Sequence, residues 1–432
     1  MSENKIIELY EKYTKSSVSN IYALQQSGSN RQYFKISSDG GNVVGVVGTS
    51  VAENIAFIKI AQQFEKQGIN APRVLTVSDD KLCYLQTDLG DTILFDEITK
   101  EQGTKSKEQG QVQGNITKSP NHQITNLLHK TISYLPDIQF KTAQNFDFLV
   151  CFPQAEFDRR NIFFDLNYFK YCFLKNSGIE FDEIALENDF EKLSNLLLNC
   201  HSRAGGNPTQ FTDEQEIPAC AEITPSVFMY RDFQSRNVML KDGEPYFIDF
   251  QGGRKGAIYY DVASFLWQAK ANFSDELRNE LIDTYLEKLQ KYHTISKDDF
   301  LEKLRYFVLF RQLQVLGAYG FRGLFEQKQH FLDSIPFALE NIKKLLPFEE
   351  LPYLSALFST QMTQIKQINT DNNKICENQW KSVDRLTVQI ESFSYKKGIP
   401  KDTSGNGGGY VFDCRSIYNP GRFDEYKNLT GL

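Results

Sequence analysis

Asp232, Asn237 and Asp249 fall within YRDFQSRNVMLKDGEPYFIDFQGG, residues 230–253, and their types and spacing suit proton and metal chemistry. Asp232 and Asn237 stand in a D-x-x-x-x-N spacing, and Asn237 leads directly into the apolar run Val238-Met239-Leu240. Asp242-Gly243 predicts a tight turn, and Tyr246-Phe247-Ile248 predicts a return strand that ends at Asp249. Antiparallel partners pair symmetrically about a turn, so this hairpin brings Asp249 to within about one register step of Asn237. Two carboxylates roughly 5 Å apart at an effective dielectric of about 20 repel by about 3 kcal/mol, so they need a cation or a shared proton. Asn237 and Asp249 offer hard oxygens to Mg²⁺, whose octahedron phosphates usually complete. Asp232 is then left to accept the proton of an attacking hydroxyl, the division of labour in kinase-type phosphoryl transfer.

The same stretch resembles the catalytic and metal-binding segments of the aminoglycoside phosphotransferase and choline kinase superfamily, which shares its core with protein kinases. The resemblance implies Asp232 as catalytic base, Asn237 and Asp249 as Mg²⁺ ligands, ATP as phosphoryl donor, and Asp261 in YYDVAS as a brace on the catalytic loop. From the residues alone, Asp261 is equally an acid at a helix start favoured by the dipole, and both readings stand. Tyr230 stands where the family commonly has His, a departure that touches the brace more than the chemistry. RDFQSRN followed by IDFQ is similar to the bacterial anomeric kinases of N-acetylmuramic acid and N-acetylglucosamine, which implies an amino-sugar acceptor.

The implied fold is α+β, a protein-kinase-like two-lobe phosphotransferase fold with a small α/β C-terminal segment. Residues 1–91 read as the N-terminal nucleotide-binding lobe. Periodicity predicts a short helix over residues 3–16, then strands on either side of Ser27-Gly28-Ser29-Asn30. Backbone N–H groups at Gly28, Ser29 and Asn30 could cradle phosphate, although a plain hairpin turn fits equally. VVGVVG in residues 42–48 predicts a second strand and residues 52–64 a helix. That strand lacks the lysine with which the family holds the α- and β-phosphates; Arg31 or Lys35 would supply the charge, with Glu53 as helix partner or as a surface acid. Residues 84–91, YLQTDLGD, resemble the inter-lobe connection whose backbone meets adenine, which locates Gln86 and Asp88 at the nucleotide; an edge strand ending at a Gly turn fits as well.

Residues 92–345 read as the catalytic lobe, with polar or Gly/Pro-rich insertions at about 102–122 and 201–226. Ile124, Leu127, Leu128, Ile132 and Leu135 share a helical face, as do Phe190, Leu193, Leu196 and Leu197. The aromatic-rich stretch at 155–175 reads mainly as core, with Asp165, Asn167 and Tyr168 as candidates for substrate hydroxyls. In the run around Gly317, Gly320 and Gly323, Arg322 could meet the acceptor or simply snorkel from a packed helix. Arg311 lies close by. Cys200, His201 and Cys220 lack the compact ligand spacing of structural zinc.

Residues 346–381 read as a polar linker and 382–432 as a partial domain. SFSYKKGIP, VFDCR, NPGR and LTG resemble the start of the C-terminal domain of RapZ-type RNase adapters. That likeness implies an RNA or sugar-phosphate ligand, with Arg415, Asn419, Arg422, Lys396 and Lys397 as anion contacts. It also allows a rival reading, a nucleotide- or sugar-phosphate-sensing adapter without turnover.

The 432 residues carry 41% hydrophobic and 24% charged side chains, an ordinary globular balance. A net charge of −7 argues against non-specific nucleic-acid binding. Seven cysteines without paired C-x-x-C spacing suggest reduced thiols. MSENKIIELYEKY lacks a basic-then-apolar leader, and no run of ~18 apolar residues could span a membrane. A cytoplasmic protein with no membrane partner is expected.

Overall fold

Alternation along the N-terminal strands gives their sheet two apolar faces, and a different helix covers each. The computed structural model describes residues 2–24, 31–38, 41–100, 122–199 and 225–360. The chain divides into two units, Met1–Asp371 and Asn372–Leu432, and every described residue belongs to the first. Helix α1 (Ser2–Thr14) precedes strands β1 (Asn20–Ala23), β2 (Gln32–Ser38) and β3 (Gly41–Val47). Helix α2 (Val51–Gln67) leads to β4 (Val74–Val77) and β5 (Cys83–Thr87). The five strands pair antiparallel in the order β1-β2-β3-β5-β4. Ile6, Leu9 and Tyr10 of α1 pack on Phe34, Ile36, Cys83 and Leu85, residues that point to one side. On the other side Val44, Val46 and Tyr84 meet Phe57, Ile60, Ala61 and Phe64 of α2. Ser50 caps α2 by accepting from Glu53 N, and Gly68 at φ 68° closes it.

A helix at residues 94–100 (α3) follows the sheet. Next come α4 (His122–Ser133), α5 (Leu135–Ala143), α6 (Arg159–Phe169) and α7 (Glu183–Asn199). Strand β6 (Val227–Met229) pairs with β9 (Arg254–Gly256), and between them β7 (Val238–Lys241) pairs with β8 (Glu244–Phe247). The remainder is α8 (Tyr259–Leu266), α9 (Asp275–Leu289), α10 (Lys297–Tyr319), the single turn α11 (Gln329–Leu332), α12 (Ile335–Leu345) and α13 (Pro352–Thr360). One apolar cluster runs from Val44 in the sheet to Phe358 in α13. Its junction is aromatic: Phe250 stacks on Phe57 with ring centroids 4.6 Å apart and tilts against Phe64 at 4.8 Å. Such pairs add about 0.5–1.5 kcal/mol beyond the buried area.

Three expectations need correction. Residues 346–360 belong to no linker, because Phe348, Leu351, Leu354, Leu357 and Phe358 are buried and α13 packs on α7 through Leu354 N, which donates to Asp189 Oδ2 at 2.8 Å. Leu196 is half-buried while Phe190, Leu193 and Leu197 are buried, since it sits at the rim of the apolar stripe. In the aromatic-rich stretch, Phe169 and Phe173 are core, but Phe164 is 70% exposed. Among the described residues no helix is long and apolar enough to cross a membrane. Cys83, Cys151 and Cys172 are free thiols.

Candidate active site

The β7–β8 hairpin forms as its sequence dictates. Asp242 and Gly243 both take positive φ, 54° and 75°, which a two-residue turn matched to strand twist requires. Val238 pairs with Phe247, and Ile248 N donates to Asn237 O at 3.0 Å. Asp249 therefore lies one register step beyond Asn237. Its own φ of 65° turns the chain sharply, and Phe250 enters the aromatic junction behind it.

The loop carrying Asp232 is held from several directions. Asp261, buried in the first turn of α8, accepts from Tyr230 N through Oδ2 and from Arg231 N through Oδ1, both at 2.8 Å. Tyr230 Oη donates to Ile248 O at 2.5 Å, which ties the loop to the residue before Asp249. Ser235 Oγ donates to Gln268 Oε1 at 2.7 Å. Asn237 Nδ2 donates to Asp232 O at 2.8 Å, which commits the amide nitrogen and leaves Oδ1 as an acceptor.

Asp249 receives a bond from Gln251 Nε2 at 2.7 Å. Burial pushes its carboxyl up and the charge of Asp232 adds to that, while Gln251 and the more distant Arg31 pull the other way. A carboxylate held against desolvation and a like charge gains from a nearby cation. The donor set fits Mg²⁺: one amide oxygen and one carboxylate, both hard oxygens. Among the described residues no group of three or more His, Cys, Asp or Glu could hold an ion by itself. Substrate and water oxygens would have to complete the shell, the usual pattern for this ion.

On the sheet side, Arg31 immediately precedes β2 and has 2% of its surface exposed. Its Nη2 lies 3.4 Å from Glu53 Oε1 and donates to Glu53 O at 3.2 Å, and its guanidinium sits 5.6 Å from the Phe57 ring centroid. Glu53 and Phe57, one turn apart on α2, thus connect Arg31 to the ring that stacks on Phe250. Lys35 is placed elsewhere, 2.8 Å from Asp91 and 3.3 Å from Asp88. It braces the segment after β5 and does not share the Arg31–Glu53 pair. Asp88 is used in that brace and also accepts from Gly90 N at 2.9 Å. Gln86 faces Val44 across the sheet. Lys241 Nζ donates to Asp88 O at 3.3 Å and Leu240 N to Thr92 O at 2.8 Å, so this connection docks on the hairpin. Gly28, Ser29 and Asn30 lie outside the described residues, as do Cys200, His201, Cys220, Lys396, Lys397, Arg415, Asn419 and Arg422.

Asp232 and Asp249 open into a cavity of about 760 Å³, lined further by Asp165, Tyr168, Trp267, Arg311, Gln314 and Arg322. Asp165 and Tyr168, three apart on α6, share the face that lines it, whereas Asn167 falls off that face and does not. Asp165 is an internal anchor: Gln314 Nε2 donates to its Oδ2 at 2.8 Å and Arg231 Nη2 stands 3.4 Å away. Burial pushes Asp165 up, and those neighbours pull it back. Arg311 donates to Ser264 Oγ at 3.2 Å and to Gln314 Oε1 at 2.6 Å, which leaves Nη2 4.0 Å from Asp232 Oδ1. Tyr260 Oη also donates to Gln314 Oε1, at 2.7 Å. Arg322 lines the cavity with its guanidinium 5.5 Å from the Phe331 ring centroid. The Arg311–Gln314 pair was absent from the sequence-derived site, although their i, i+3 spacing was the available signal.

Residues 175–296, which contain Asp232, Asn237, Asp249 and Asp261, match the family described as Phosphotransferase enzyme family. The chain carries a phosphotransferase domain. Around this domain, an N-acetylmuramate/N-acetylglucosamine kinase of Neisseria meningitidis is 26% identical over 333 residues, covering 76% of this chain and 86% of that protein. An amicoumacin kinase solved with AMP-PNP, Ca²⁺ and Ami aligns with a TM-score of 0.51 at 10% identity, covering 81% of this chain and 96% of that one. A choline kinase from Cryptosporidium parvum aligns at 0.50 and 12% identity, covering 82% and 97%. The phosphotransferase domain thus sits in the α+β, protein-kinase-like fold of small-molecule kinases. Residues 386–432 match the RapZ C-terminal domain. A nucleotide-binding protein of Alteromonas mediterranea is 46% identical over 52 residues, which span 12% of this chain and 17% of that protein.

Proposed function

We propose that the chain transfers the γ-phosphoryl group of ATP to a hydroxyl of a small amino sugar, such as N-acetylmuramate or N-acetylglucosamine, in the cytoplasm. The observation that carries this reading is the convergence of Asp232, Asn237 and Asp249 at the end of one hairpin, beside a cavity large enough for a sugar. The Asp232 carboxylate would accept the proton of the sugar hydroxyl as its oxygen bonds to the γ-phosphorus. The bond from that phosphorus to the β,γ-bridging oxygen breaks, and ADP leaves. Asn237 Oδ1 and Asp249 would hold Mg²⁺, which when bound neutralises phosphate charge. Arg31, paired with Glu53, would take the place of the absent strand lysine at the phosphates. The segment from Gln86 to Asp88 would face the nucleotide base, and Gly28, Ser29 and Asn30 its phosphates. Little is asked of the protein beyond positioning and electrostatics.

The C-terminal segment would bind RNA or a sugar phosphate, in line with its RapZ-type match. The test of the main reading is Mg-ATP turnover against both sugars, with Asp232→Asn alongside. Sugar-dependent ADP release, lost by about 10²–10⁴-fold in the variant, is the expected result. Nucleotide binding without release for any sugar would instead favour a sensor.

A further inference from the structure

Two of the cavity's carboxylates have a cation within 4 Å, Arg231 at 3.4 Å from Asp165 and Arg311 at 4.0 Å from Asp232, and the Arg31 charge acts on Asp249 from farther away. Two further cations on its wall stand in no such close pair with an acid. Arg236 sits in the turn between Asp232 and Asn237, and Lys270 follows α8. The two are brought together because Gln268 Oε1 accepts from both Ser235 N, at 3.0 Å, and Ser235 Oγ, at 2.7 Å, clamping one segment to the other. Among the described residues neither has a carboxylate within 4 Å, although ion pairs of that kind are frequent elsewhere on the chain. Their mutual repulsion shows on Lys270, whose ammonium is held below its ordinary range by burial and then by Arg236, against the pull of Asp333 from beyond ion-pair distance. His330, on the same wall, is likewise held low by burial and then by Lys270 and Lys328. Like charges crowded on one wall of a concave site are stabilised by an anion placed between them, and they draw anions toward the mouth.

The geometry points to Arg236 and Lys270 as an anion-reading wall that selects an acceptor bearing a carboxylate or phosphate over a neutral sugar. The inference rests on the phosphotransferase reading for what occupies the cavity. It deepens that reading by naming the acceptor's charge and the residues that recognise it. A carboxylate and a phosphate share the chemistry Arg236 would recognise, planar N–H donors against paired oxygens, so sugars carrying either group are predicted to bind.

The experiment is calorimetric binding to the full chain with Mg-AMP-PNP present, using N-acetylmuramate, N-acetylglucosamine 6-phosphate and neutral N-acetylglucosamine. Arg236→Gln and Lys270→Met remove charge at similar volume, and ADP release with ATP is measured in parallel. At least one anionic sugar should bind about tenfold tighter than the neutral one, a ratio equivalent to about 1.4 kcal/mol, and each variant should lose that advantage while binding the neutral sugar as before. Which anionic sugar binds tells the carboxylate from the phosphate source. Equal binding of all three sugars, binding of none, or variants that weaken all alike would overturn the inference. An anion preference without ADP release would leave the wall standing and remove the kinase reading, whereas turnover without preference would do the reverse.

Discussion

Asn237 donates its side-chain amide to the main-chain oxygen of Asp232 at 2.8 Å, so the loop that aims the acid is fixed by the residue that offers an oxygen to the metal. Proton acceptance and metal binding are thereby coupled through one side chain. Asn237→Ala removes both the tie and the oxygen. Turnover should fall by about 10²-fold or more, the scale for losing one preorganised polar group at a reacting centre. The Mg²⁺ concentration for half-maximal rate should rise together with that fall. A titration of rate against Mg²⁺ at fixed ATP checks this, and an unchanged midpoint would remove Asn237 from the metal site.

Arg31 is the second case, a buried cation whose partner comes from a helix 22 residues later in the chain. If it faces phosphate, Arg31→Met should raise KM for ATP about tenfold or more while the acceptor KM moves little. Arg31→Lys should recover part of the loss, because a point charge replaces a planar fork. Lys35→Met serves as the contrast: it should loosen the segment held through Asp88 and Asp91 and lower Tm with a smaller effect on ATP. Equal ATP constants in the wild type and Arg31→Met would show that the guanidinium is a structural tie.

What could be read from the chain alone follows locality. The hairpin is specified within about a dozen residues by turn chemistry and alternation, so its register and the meeting of Asn237 with Asp249 were both legible. Arg31 and Lys35 were both candidates for the missing charge, and Glu53 read as a helix partner or a surface acid; the fold, which brings the start of α2 against Arg31, is what pairs Arg31 with Glu53. Arg311 and Gln314 were not placed at the site, because α10 is buried on nearly every side and its apolar pattern marks no single face. Their approach to Asp232 depends on how α6 and α10 cross, a long-range packing fact. The polar composition after residue 360 also obscured Phe348, Leu351 and Leu354, whose apolar spacing belongs to the core.

That crossing depends on Gly317, and its continuation just past the ends of both helices depends on Gly320. A Cβ at Gly320 would come 2.2 Å from Cys172 O, and one at Gly317 would come 2.9 Å from Phe169 N. Both obstacles are backbone, which cannot rotate away. Gly320→Ala should therefore destabilise by about 1–3 kcal/mol, the cost of overpacking a dense interface. It should also separate Asp165 and Tyr168 from Arg311 and Gln314, raising KM for the acceptor more than for ATP. Thermal denaturation and the two KM values test this, and a neutral substitution would mean that the helices approach less closely.

Asp261 provides a pH dependence whose sign can be worked out. It is wholly buried, and its two 2.8 Å bonds from Tyr230 N and Arg231 N favour the ionised form. Burial outweighs them and pushes the carboxyl up from 3.8 to about 7. Between those values the folded chain keeps a proton that the unfolded chain has released, so rising pH favours unfolding. The contribution of this group to stability is fully present below the unfolded pKa, at about pH 4, and is lost as pH rises through about 7. Turnover should move the other way, because the ionised carboxylate makes stronger, charge-assisted bonds to the loop that carries Asp232. In Asp261→Asn the side-chain nitrogen cannot accept, so one of the two amides loses its partner. That variant should be less active throughout, and its Tm should lack the decline that the wild type shows between about pH 4 and 7. Thermal denaturation of both proteins across that range isolates the difference, and parallel curves would show that Asp261 does not titrate there.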